Sequence, residues 1–430
     1  MTHDAVGRNG PRWGAVADDF TGATDLAASW VARGLRTAVT LGVPTPAELP
    51  ALADLDAVVV ALKTRTAPPA EAVARSLAAL GVLRRLGCAR FYDKYCSTFD
   101  STPRGNIGPV ADALMAELDT DLAVVVPSFP ANGRTVYRGH LFVGDRLLSE
   151  SSMRHHPLTP MTDSDLVRVL TPQTVNRVVP VPLPTVRQGP AALAGALRAA
   201  AAGGRCYAVV DAVDDDDLAV IAAATADHPL VTGGSGLALG LPAAGPPATA
   251  AMPVVPGRRA VLAGSASAAT RGQIAAARGT LASRRLDVSA LRADPAGEVA
   301  GIARWAADRW AAAPDEPVLV YAVGSLDDVE TAPPPGQRPA AELVEEALAG
   351  CAVAFAAAGA RQFLVAGGET SGSVVGALGV RRLELGPALA PGVSWAHGTA
   401  AGRSDGYNLA LKSGNFGAPD IFTTCWKALS

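Results

Sequence analysis

The stretch 362-QFLVAGGETSGSVVGAL-378 decides the fold of the carboxyl-terminal half of the chain. Phe363–Ala366 is a short apolar run with the length of a buried parallel strand, and it is too short for a helix. Gly367 and Gly368 end that strand, and the small residues after them allow a helix to begin at once. The pattern therefore predicts a strand, a glycine turn and a helix amino terminus, as in an α/β domain.

The same turn is a candidate phosphate site. Free backbone N–H groups and the positive end of the helix dipole meet at such a turn. Gly367 and Gly368 let a phosphate approach the backbone closely, and Thr370 adds a hydroxyl donor or a helix cap. The stretch matches neither GxxxxGK[ST] nor GxGxxG, so phosphate binding and an ordinary strand-to-helix turn both stay open.

Two further turns rich in glycine and serine follow predicted strands, 264-GSAS-267 and 412-KSGNFG-417. The carboxyl ends of parallel strands share one edge of an open sheet, where ligands bind at a topological switch point. Ser265 and Ser267 are suited to donate to phosphate or to cap the following helix, and the two roles are compatible. Three such turns together predict a nucleotide site in this half.

Composition narrows the class of protein. The chain has 430 residues, of which 49% are hydrophobic and 18% are charged, as expected for a soluble globular protein of two or three domains. A net charge of −3 argues against nucleic acid as a partner. Residues 1–12 contain no apolar signal-peptide segment, and no apolar run reaches the ~18 residues of a membrane span. Five scattered cysteines without CxxC spacing predict reduced thiols and a cytoplasmic location.

Lysine is rare in this chain. Only four of the 37 basic residues are lysines, namely Lys63, Lys94, Lys412 and Lys427. The first three follow predicted strands or lie in loops rich in glycine, serine and threonine. A compact ammonium suits phosphate or another small anion, so these positions are candidates for anion binding, with chance placement as the alternative.

The amino-terminal half alternates strands and helices. Trp13–Ala17 is a predicted strand, and 18-DDFTGATD-25 leads into an alanine-rich helix. The alternation continues to Leu122–Val126 and resumes at Arg205–Val210, which predicts a parallel sheet covered by helices. Residues 134–151 interrupt it and predict a β-hairpin insertion.

The carboxyl-terminal half is a second α/β series. Residues 241–258 are rich in proline and small residues and predict a linker between domains at 1–240 and 259–430. The second series includes a predicted helix over Ala268–Arg284 and a mainly β segment over 380–417. The predicted fold class is α/β, with two Rossmann-like domains of mostly parallel sheets and an active site in the inter-domain cleft.

A polar segment of the amino-terminal half, 96-CSTFDSTPRGNIGP-109, is suited to bind a small polyhydroxylated acid. It combines hydroxyls, an amide and a carboxylate with Arg104, which is able to pair with a substrate carboxylate in a bidentate manner. An ordinary loop is the alternative, because these residue types are common in loops. The predicted substrate-binding residues are Lys94, Asp100, Ser101, Thr102, Arg104, Asn106 and Arg134.

Asp18 and Asp19 are candidates for a general base or a magnesium contact, and the alternative is that one of them caps the next helix. The carboxyl-terminal half is rich in turns suited to bind phosphate, and the amino-terminal half is rich in side chains suited to bind a sugar acid. Together the two halves suggest phosphoryl transfer. This chemistry needs positioning and charge neutralisation more than a covalent catalyst, which accounts for the lack of a Ser/His/Asp triad. No residues are assigned to a metal.

The motifs quoted above resemble the four-carbon acid sugar kinase family, over residues 13 to 425. The resemblance rests on ADDFTGATDLA, KYCSTFDSTPRGNIGP, PSFPANGRTVYRGHLFV, LAGSAS, GGETSG and LKSGNFG. KYCSTFDST and LKSGNFG are similar to the 3-oxo-tetronate kinase branch. The resemblance implies a sugar-acid-binding amino-terminal domain, a nucleotide-binding carboxyl-terminal domain, and ATP with Mg²⁺ as cofactors. The implied nucleotide-binding residues are Ser265, Ser267, Gly367, Gly368, Glu369, Thr370 and Gly414.

The activity implied by the resemblance is ATP-dependent phosphorylation of the 4-hydroxyl of 3-oxo-tetronate (3-dehydro-erythronate) in the catabolism of four-carbon acid sugars. The expected partners are ATP and a C4 sugar acid, and a homodimer is compatible with the sequence. A D-threonate or D-erythronate 4-kinase of the same family is the nearest alternative. An NAD-dependent oxidoreductase would usually carry GxGxxG with an acidic residue ~20 positions later, and the chain has no convincing copy. A non-enzymatic sugar-acid sensor is the third alternative.

Overall fold

The structure is a computed structural model, and it describes residues 12–155, 159–248, 252–330, 333–400 and 405–429. The chain divides into two compact units, residues 1–249 and residues 250–430. The predicted linker 241–258 includes residues 249–251, which lie outside the described residues. The domain limits read from the sequence and the position of the active site in an inter-domain cleft stay predictions.

The amino-terminal unit contains a large sheet, a small sheet and helices between the strands. Its strands are β1 (Trp13–Ala17), β2 (Thr37–Leu41), β3 (Ala57–Ala61), β4 (Arg90–Lys94), β5 (Leu122–Val126), β6 (Arg134–Tyr137), β7 (His140–Val143), β8 (Arg146–Leu147), β9 (Arg177–Val181), β10 (Cys206–Val210) and β11 (Leu230–Gly233). Its α-helices are α1 (Phe20–Ala32), α2 (Pro69–Arg85), α3 (Ile107–Glu117), α4 (Leu166–Leu170), α5 (Leu183–Val186), α6 (Pro190–Ala201), α7 (Asp215–Ala224) and α8 (Gly236–Leu239).

The large sheet of this unit has the order β2-β3-β1-β4-β11-β5-β10-β9, and each neighbouring pair is parallel. Every residue of β1, β3, β5 and β10 is buried, as expected for strands covered by helices on both faces. From β1 the chain continues through α1 to β2 on one side, whereas from β4 it continues through α3 to β5 on the other. The switch point therefore lies between the carboxyl ends of β1 and β4.

The small sheet of the amino-terminal unit is the insertion predicted from residues 134–151. Strands β6, β7 and β8 pair antiparallel. Gly139 and Gly144 lie in the two connecting turns with φ of 73° and 62°, the left-handed conformation that glycine adopts without strain. Strands β6 and β7 thus form a β-hairpin within this segment.

The carboxyl-terminal unit is a second α/β unit. Its strands are β12 (Arg258–Ala263), β13 (Ala282–Arg285), β14 (Val318–Tyr321), β15 (Ala360–Ala366), β16 (Val380–Ala390), β17 (Val393–Ala400) and β18 (Tyr407–Lys412). Its α-helices are α9 (Ala268–Ala277), α10 (Val288–Ala293), α11 (Pro295–Ala312), α12 (Ala340–Ala357), α13 (Gly368–Ala377) and α14 (Ile421–Thr424).

The strands of this unit have the order β13-β14-β12-β15-β18-β17-β16. The pairs from β13 to β18 are parallel, and β17 is antiparallel to both β18 and β16. From β12 the chain continues to β13 on one side, and from β15 it continues to β16 on the other. The switch point lies between β12 and β15, so two predicted turns, 264–267 and 367–372, follow the strands that flank it.

The predicted helix over Ala268–Arg284 is wrong in its second half. Helix α9 ends at Ala277, and Ala282–Arg285 form the edge strand β13 beside β14. Gly279 and Thr280 interrupt the helical segment, and strand pairing then decides the conformation of the residues after them. The predicted α/β fold class with mostly parallel sheets is confirmed.

The hydrophobic cores lie between sheet and helices. In the amino-terminal unit, Leu80 and Leu83 of α2 pack with Val58 of β3. In the carboxyl-terminal unit, Ile274 of α9 packs with Trp395 of β17. Each such side chain contributes about 1.5–3 kcal/mol to stability when fully buried. The packed cores therefore hold the strands, and the turns at their ends, in fixed positions. Among the described residues, no helix combines the length and apolar character that crossing a bilayer requires.

Candidate active site

Arg65 joins the two aspartates that follow β1. Its guanidinium donates to both carboxylate oxygens of Asp18 at 2.8 Å each, and Nη2 also lies 2.9 Å from Oδ1 of Asp19. Burial raises the pKa of Asp18, while the paired guanidinium opposes this rise. The bidentate pair fixes the turn after β3, which carries Arg65, against the end of β1.

Asp19 caps helix α1. Its Oδ1 accepts from the backbone N–H of Gly22 at 2.8 Å, and its Oδ2 accepts from the hydroxyl of Thr21 at 2.8 Å. Burial alone raises the pKa of Asp19, but Arg65, Lys94 and these hydrogen bonds together lower it. The capping alternative therefore describes its geometry, and its two oxygens already serve the helix and Arg65.

Lys94 lies at the carboxyl end of β4, directly across the switch point from β1. Its side chain is buried, and its ammonium donates to the backbone carbonyl of Tyr95 at 2.8 Å. A Cβ at Gly22 would lie 2.8 Å from Nζ of Lys94 and 2.4 Å from Oδ1 of Asp19. Glycine is therefore required where α1 approaches this cation.

Asp25 is a buried carboxyl that sequence reasoning missed. Its Oδ2 accepts from the hydroxyl of Ser235 at 2.6 Å, whereas Oδ1 has no hydrogen-bond partner in the described part of the chain. Burial raises the pKa of Asp25 to about 6, and the nearby Lys94 ammonium works against this shift. The sequence contained one signal for Asp25. It follows Gly22 by three positions and therefore lies on the same face of α1 as Gly22.

Asp93 is a second buried carboxyl that was not predicted. It lies within β4 and lines a small cavity together with Asp18 and Thr64. Burial, followed by the charge of Asp18, raises the pKa of Asp93 to about 8, so the side chain is mainly protonated at neutral pH. A carboxyl inside a predicted strand of a sheet covered by helices was the signal that could have identified it.

Asp100, Ser101 and Arg134 are three of the predicted substrate-binding residues, and Arg134 is half-buried. Asp100 and Ser101 are buried, and Oδ1 of Asp100 has no hydrogen-bond partner among the described residues. Arg134 donates to the backbone carbonyl of Asn132. Burial lowers the pKa of Arg134, and the charges of Asp100 and Asp25 partly offset that effect. A cation and two carboxyls are thus brought together near Lys94.

Asn106, Thr102 and Arg104 occupy other positions. The Asn106 amide donates to the carbonyls of Thr64 at 2.7 Å and Ala67 at 3.0 Å, so it holds the turn that carries Arg65. Arg104 is exposed, and its backbone N–H donates to the half-buried Thr102 at 3.3 Å. The structure does not bring Arg104 into the buried cluster.

In the carboxyl-terminal unit, two of the predicted turns are hydrogen-bonded together. Ser267 caps α9 by accepting from the N–H of Thr270 at 3.2 Å, and its hydroxyl donates to the Gly414 carbonyl at 2.5 Å. The hydroxyl of Thr270 donates to the same carbonyl at 2.8 Å. Oγ of Ser265 accepts from the N–H of Ser267 at 3.2 Å. The turns after β12 and β18 therefore form one structure.

The turn after β15 lies against the other two. Gly367 has a φ of 127°, which side chains rarely tolerate, and α13 begins at Gly368 without a side-chain cap. A Cβ at Gly264 would lie 2.2 Å from Oγ1 of Thr370. The half-buried Glu369 is in the first turn of α13. The three predicted turns thus share one edge of the sheet.

Lys412 is the residue of this edge that was not assigned to the nucleotide site. Its side chain is 0% exposed, and its Nζ donates to Thr270 Oγ1 at 3.1 Å and to the carbonyls of Ser413 and Gly414 at 3.0 and 3.1 Å. Burial lowers the pKa of Lys412 to about 7. The scarcity of lysine was the signal that pointed to this position.

Family descriptions and known proteins match the chain along nearly its whole length. A sugar-binding N-terminal domain matches residues 13–241, and a nucleotide-binding C-terminal domain matches residues 260–422. The 3-oxo-tetronate kinase of Cupriavidus necator is 50% identical, and the alignment covers 97% of each chain. The 3-oxo-tetronate kinase of Burkholderia multivorans is 49% identical with the same coverage. A solved Salmonella typhimurium structure, described as a putative tRNA synthase, has a TM-score of 0.82 and 42% identity, covering 95% of this chain and 97% of that one.

The sugar-binding and nucleotide-binding domains, together with the kinase names of the relatives, define the class as two-domain kinases that act on sugar-type substrates. The switch-point sites of both units fit that class. The chain belongs to the four-carbon acid sugar kinase family, in the branch of the 3-oxo-tetronate kinases, as its motifs predicted.

Proposed function

We propose that this chain is an ATP-dependent kinase that phosphorylates the 4-hydroxyl of 3-oxo-tetronate in the catabolism of four-carbon acid sugars. The products are 3-oxo-tetronate 4-phosphate and ADP. The observation that carries the proposal is the near full-length similarity to proteins named 3-oxo-tetronate kinase. Two structural features support the proposal independently, namely the buried Lys94 at the end of β4 and the glycine turns of the carboxyl-terminal unit.

The nucleotide is assigned to the joined turns of the carboxyl-terminal unit. Strands β12, β15 and β18 are neighbours and parallel, so Ser265, the 367–370 turn and Gly414 present main-chain donors and hydroxyls at one edge. The uncapped start of α13 supplies N–H groups and the positive end of a helix dipole, which suit phosphate. Bound ATP supplies the phosphoryl group that is transferred.

Magnesium is proposed to be held chiefly by the phosphates of the nucleotide. Among the described residues, no group of three or more histidine, cysteine or acidic side chains is positioned to hold a metal ion. Mg²⁺ commonly keeps several waters and binds through substrate phosphates and one or two carboxylates, so a cage made of protein side chains is not needed.

The sugar acid is assigned to the switch point of the amino-terminal unit. Lys94 and Arg134 supply positive charge for the substrate carboxylate, and the unpartnered Oδ1 of Asp100 is able to accept a hydrogen bond from a substrate hydroxyl. Asp18 and Asp19 stay in the proposed catalytic cluster, where they hold Arg65 and the start of α1. Asp19 therefore positions Gly22, in the first turn of α1, where this helix approaches Lys94.

The remaining predicted contacts have different standing in this proposal. Asn106 is assigned to positioning, because its amide is bonded to the 64–67 turn. Ser101, Thr102 and Arg104 stay predicted substrate contacts. A cytoplasmic location is proposed because all five cysteines are free thiols. The homodimer also stays a prediction, and light scattering on the purified protein tests it.

Release of ADP with a panel of C4 acids tests the function. Purified protein, Mg²⁺ and ATP are combined with 3-oxo-tetronate, D-threonate or D-erythronate, and a coupled assay follows ADP. We expect the highest kcat/KM with 3-oxo-tetronate. Preference for either unoxidised acid would select the 4-kinase of that acid instead, and binding of the oxo acid without ADP release would identify a sensor.

A variant of the nucleotide turn provides the internal control for this assay. Gly368→Val adds a β-branched side chain where α13 begins. We expect the KM for ATP to rise far more than the KM for the sugar acid. An unchanged KM for ATP would show that this turn has only a structural role.

A further inference from the structure

Oδ1 of Asp25 is a buried carboxylate oxygen near Lys94 for which the described residues provide no hydrogen-bond partner. The side chain is only 5% exposed, and Oδ2 is held at 2.6 Å by the hydroxyl of Ser235. A buried polar atom usually has a partner, and an unpartnered one at a binding site points to a ligand. A substrate hydroxyl is the donor that such an oxygen would take.

The two aspartates that follow β1 are less suited to accept a proton. Both oxygens of Asp18 are occupied by the Arg65 fork, and Asp19 accepts from Gly22, a threonine hydroxyl and Arg65. Protonation of either one would break an ion pair inside the protein, which is costly. Protonation of Oδ1 of Asp25 breaks no hydrogen bond among the described residues.

We propose that Asp25 is the general base that accepts the proton of the substrate hydroxyl, with Ser235 as its positioning residue. This proposal rests on the proposed kinase function. The O–H bond of the hydroxyl breaks, and its proton goes to Oδ1 of Asp25. The oxygen forms a bond to the terminal phosphorus of ATP while the bond from that phosphorus to ADP breaks. Asp25 later releases the proton to solvent.

The charges around Asp25 set a pH dependence for this step. Lys94 at the end of β4 and Arg134 of β6 favour the carboxylate, and Asp19 before α1 disfavours it. Ser235 also stabilises the carboxylate by donating to it. With burial, these groups give Asp25 a pKa of about 6. Activity should therefore fall below about pH 6, as a base that must be deprotonated requires.

The first test compares Asp25→Asn with Asp19→Asn, using kcat/KM for 3-oxo-tetronate from pH 5 to 9. The fall of kcat/KM below about pH 6 is called the acid limb of the pH profile. We expect Asp25→Asn to lower kcat by ~10²–10⁴ and to lose this acid limb. Calorimetry should show that this variant still binds ATP. Asp19→Asn should keep the acid limb, although its weaker cap lowers stability. Near-normal kcat in Asp25→Asn, or loss of the limb in Asp19→Asn, overturns the proposal.

The second test stays decisive even if Asp25→Asn does not fold. Ser235→Ala removes the donor to Oδ2, so the acid limb should move to higher pH. The matched control is Ser29→Ala, because Ser29 is also buried but lies on α1 and donates to the backbone carbonyl of Asp25 at 3.0 Å. The limb of this control should not move. A limb that stays in place in Ser235→Ala overturns the proposal.

The two hypotheses fail in different ways. If the wild-type protein releases no ADP with any C4 acid, the proposed function is refuted, and the role of Asp25 falls with it. If the wild-type protein turns over 3-oxo-tetronate while Asp25→Asn keeps its kcat and its acid limb, the kinase function stands and only the assignment of the base is refuted.

Discussion

Replacement of Lys412 by methionine should remove a pH dependence from the stability of the carboxyl-terminal unit. Lys412 is completely buried, and burial lowers its pKa from 10.5 to about 7. Between these two pH values, Lys412 is protonated in the unfolded chain but mainly deprotonated in the folded chain. Wild-type stability therefore rises as pH rises through this window, and methionine abolishes that rise.

The size of the effect follows from the pKa shift. A shift of one pKa unit corresponds to about 1.4 kcal/mol, so moving from 10.5 to about 7 corresponds to about 5 kcal/mol below pH 7. Between pH 7.5 and 9, wild-type stability should rise by about 2 kcal/mol relative to Lys412→Met. Loss of three hydrogen bonds costs the variant about 3 kcal/mol of stability at every pH. This cost changes the stability difference between wild type and variant by a constant and leaves its dependence on pH unchanged.

Urea unfolding at several pH values measures this difference. Fluorescence of Trp395 and Trp426 follows the unit, because both side chains lie in its core. The control is Lys427→Met, which removes the same charge from an exposed position. If the curves of wild type and Lys412→Met stay parallel from pH 7.5 to 9, the buried ammonium is stabilised by its oxygen partners and the reasoning is refuted.

Three further substitutions test the geometry of the two sites. Gly22→Ala should raise the KM for the sugar acid by ~10-fold or more in steady-state kinetics, because its Cβ would displace the Lys94 ammonium; an unchanged KM would contradict this. Gly414→Ala places a Cβ 2.3 Å from Oγ of Ser265, so the same assay should show a higher KM for ATP and an unchanged KM for the sugar acid. Asn106→Ala should lower the free energy of unfolding by about 2–3 kcal/mol in urea titrations, and a loss below 0.5 kcal/mol, roughly one weak hydrogen bond, would argue against its positioning role.

The sequence predicts elements and turns better than it predicts strand order. Apolar runs ended by glycine marked β12, β15 and their turns, because both signals are local. The position of β11 between β4 and β5 is not a local property, because β11 follows β5 only after a long stretch of chain.

 Residues 127–229, a stretch of 103 residues that includes β9 and β10, lie between β5 and β11 in the chain. The pairing of β11 therefore depends on contacts distant in sequence, which periodicity does not encode.

The candidate site was predicted in part, for a related physical reason. The acidic pair Asp18 and Asp19 and the lysine at the end of β4 were found because each follows a predicted strand. Their pairing with Arg65 depends on the register of β1 with β3, which only the folded sheet defines. Asp25 was missed because its carboxyl is significant only through its contact with Ser235, 210 residues away.

The lysine positions show how far a compositional signal extends. Lys63 is exposed, whereas Lys94 and Lys412 are buried at the ends of central strands beside the two switch points. Each of these two buried ammonium groups donates to the backbone carbonyl of the next residue, Tyr95 or Ser413. A compact ammonium makes this contact within a closed interior, whereas the wider guanidinium fork of arginine needs more room and more acceptors. In a chain that uses arginine almost everywhere else, the choice of lysine at these two positions is therefore explained by the space available at a strand end.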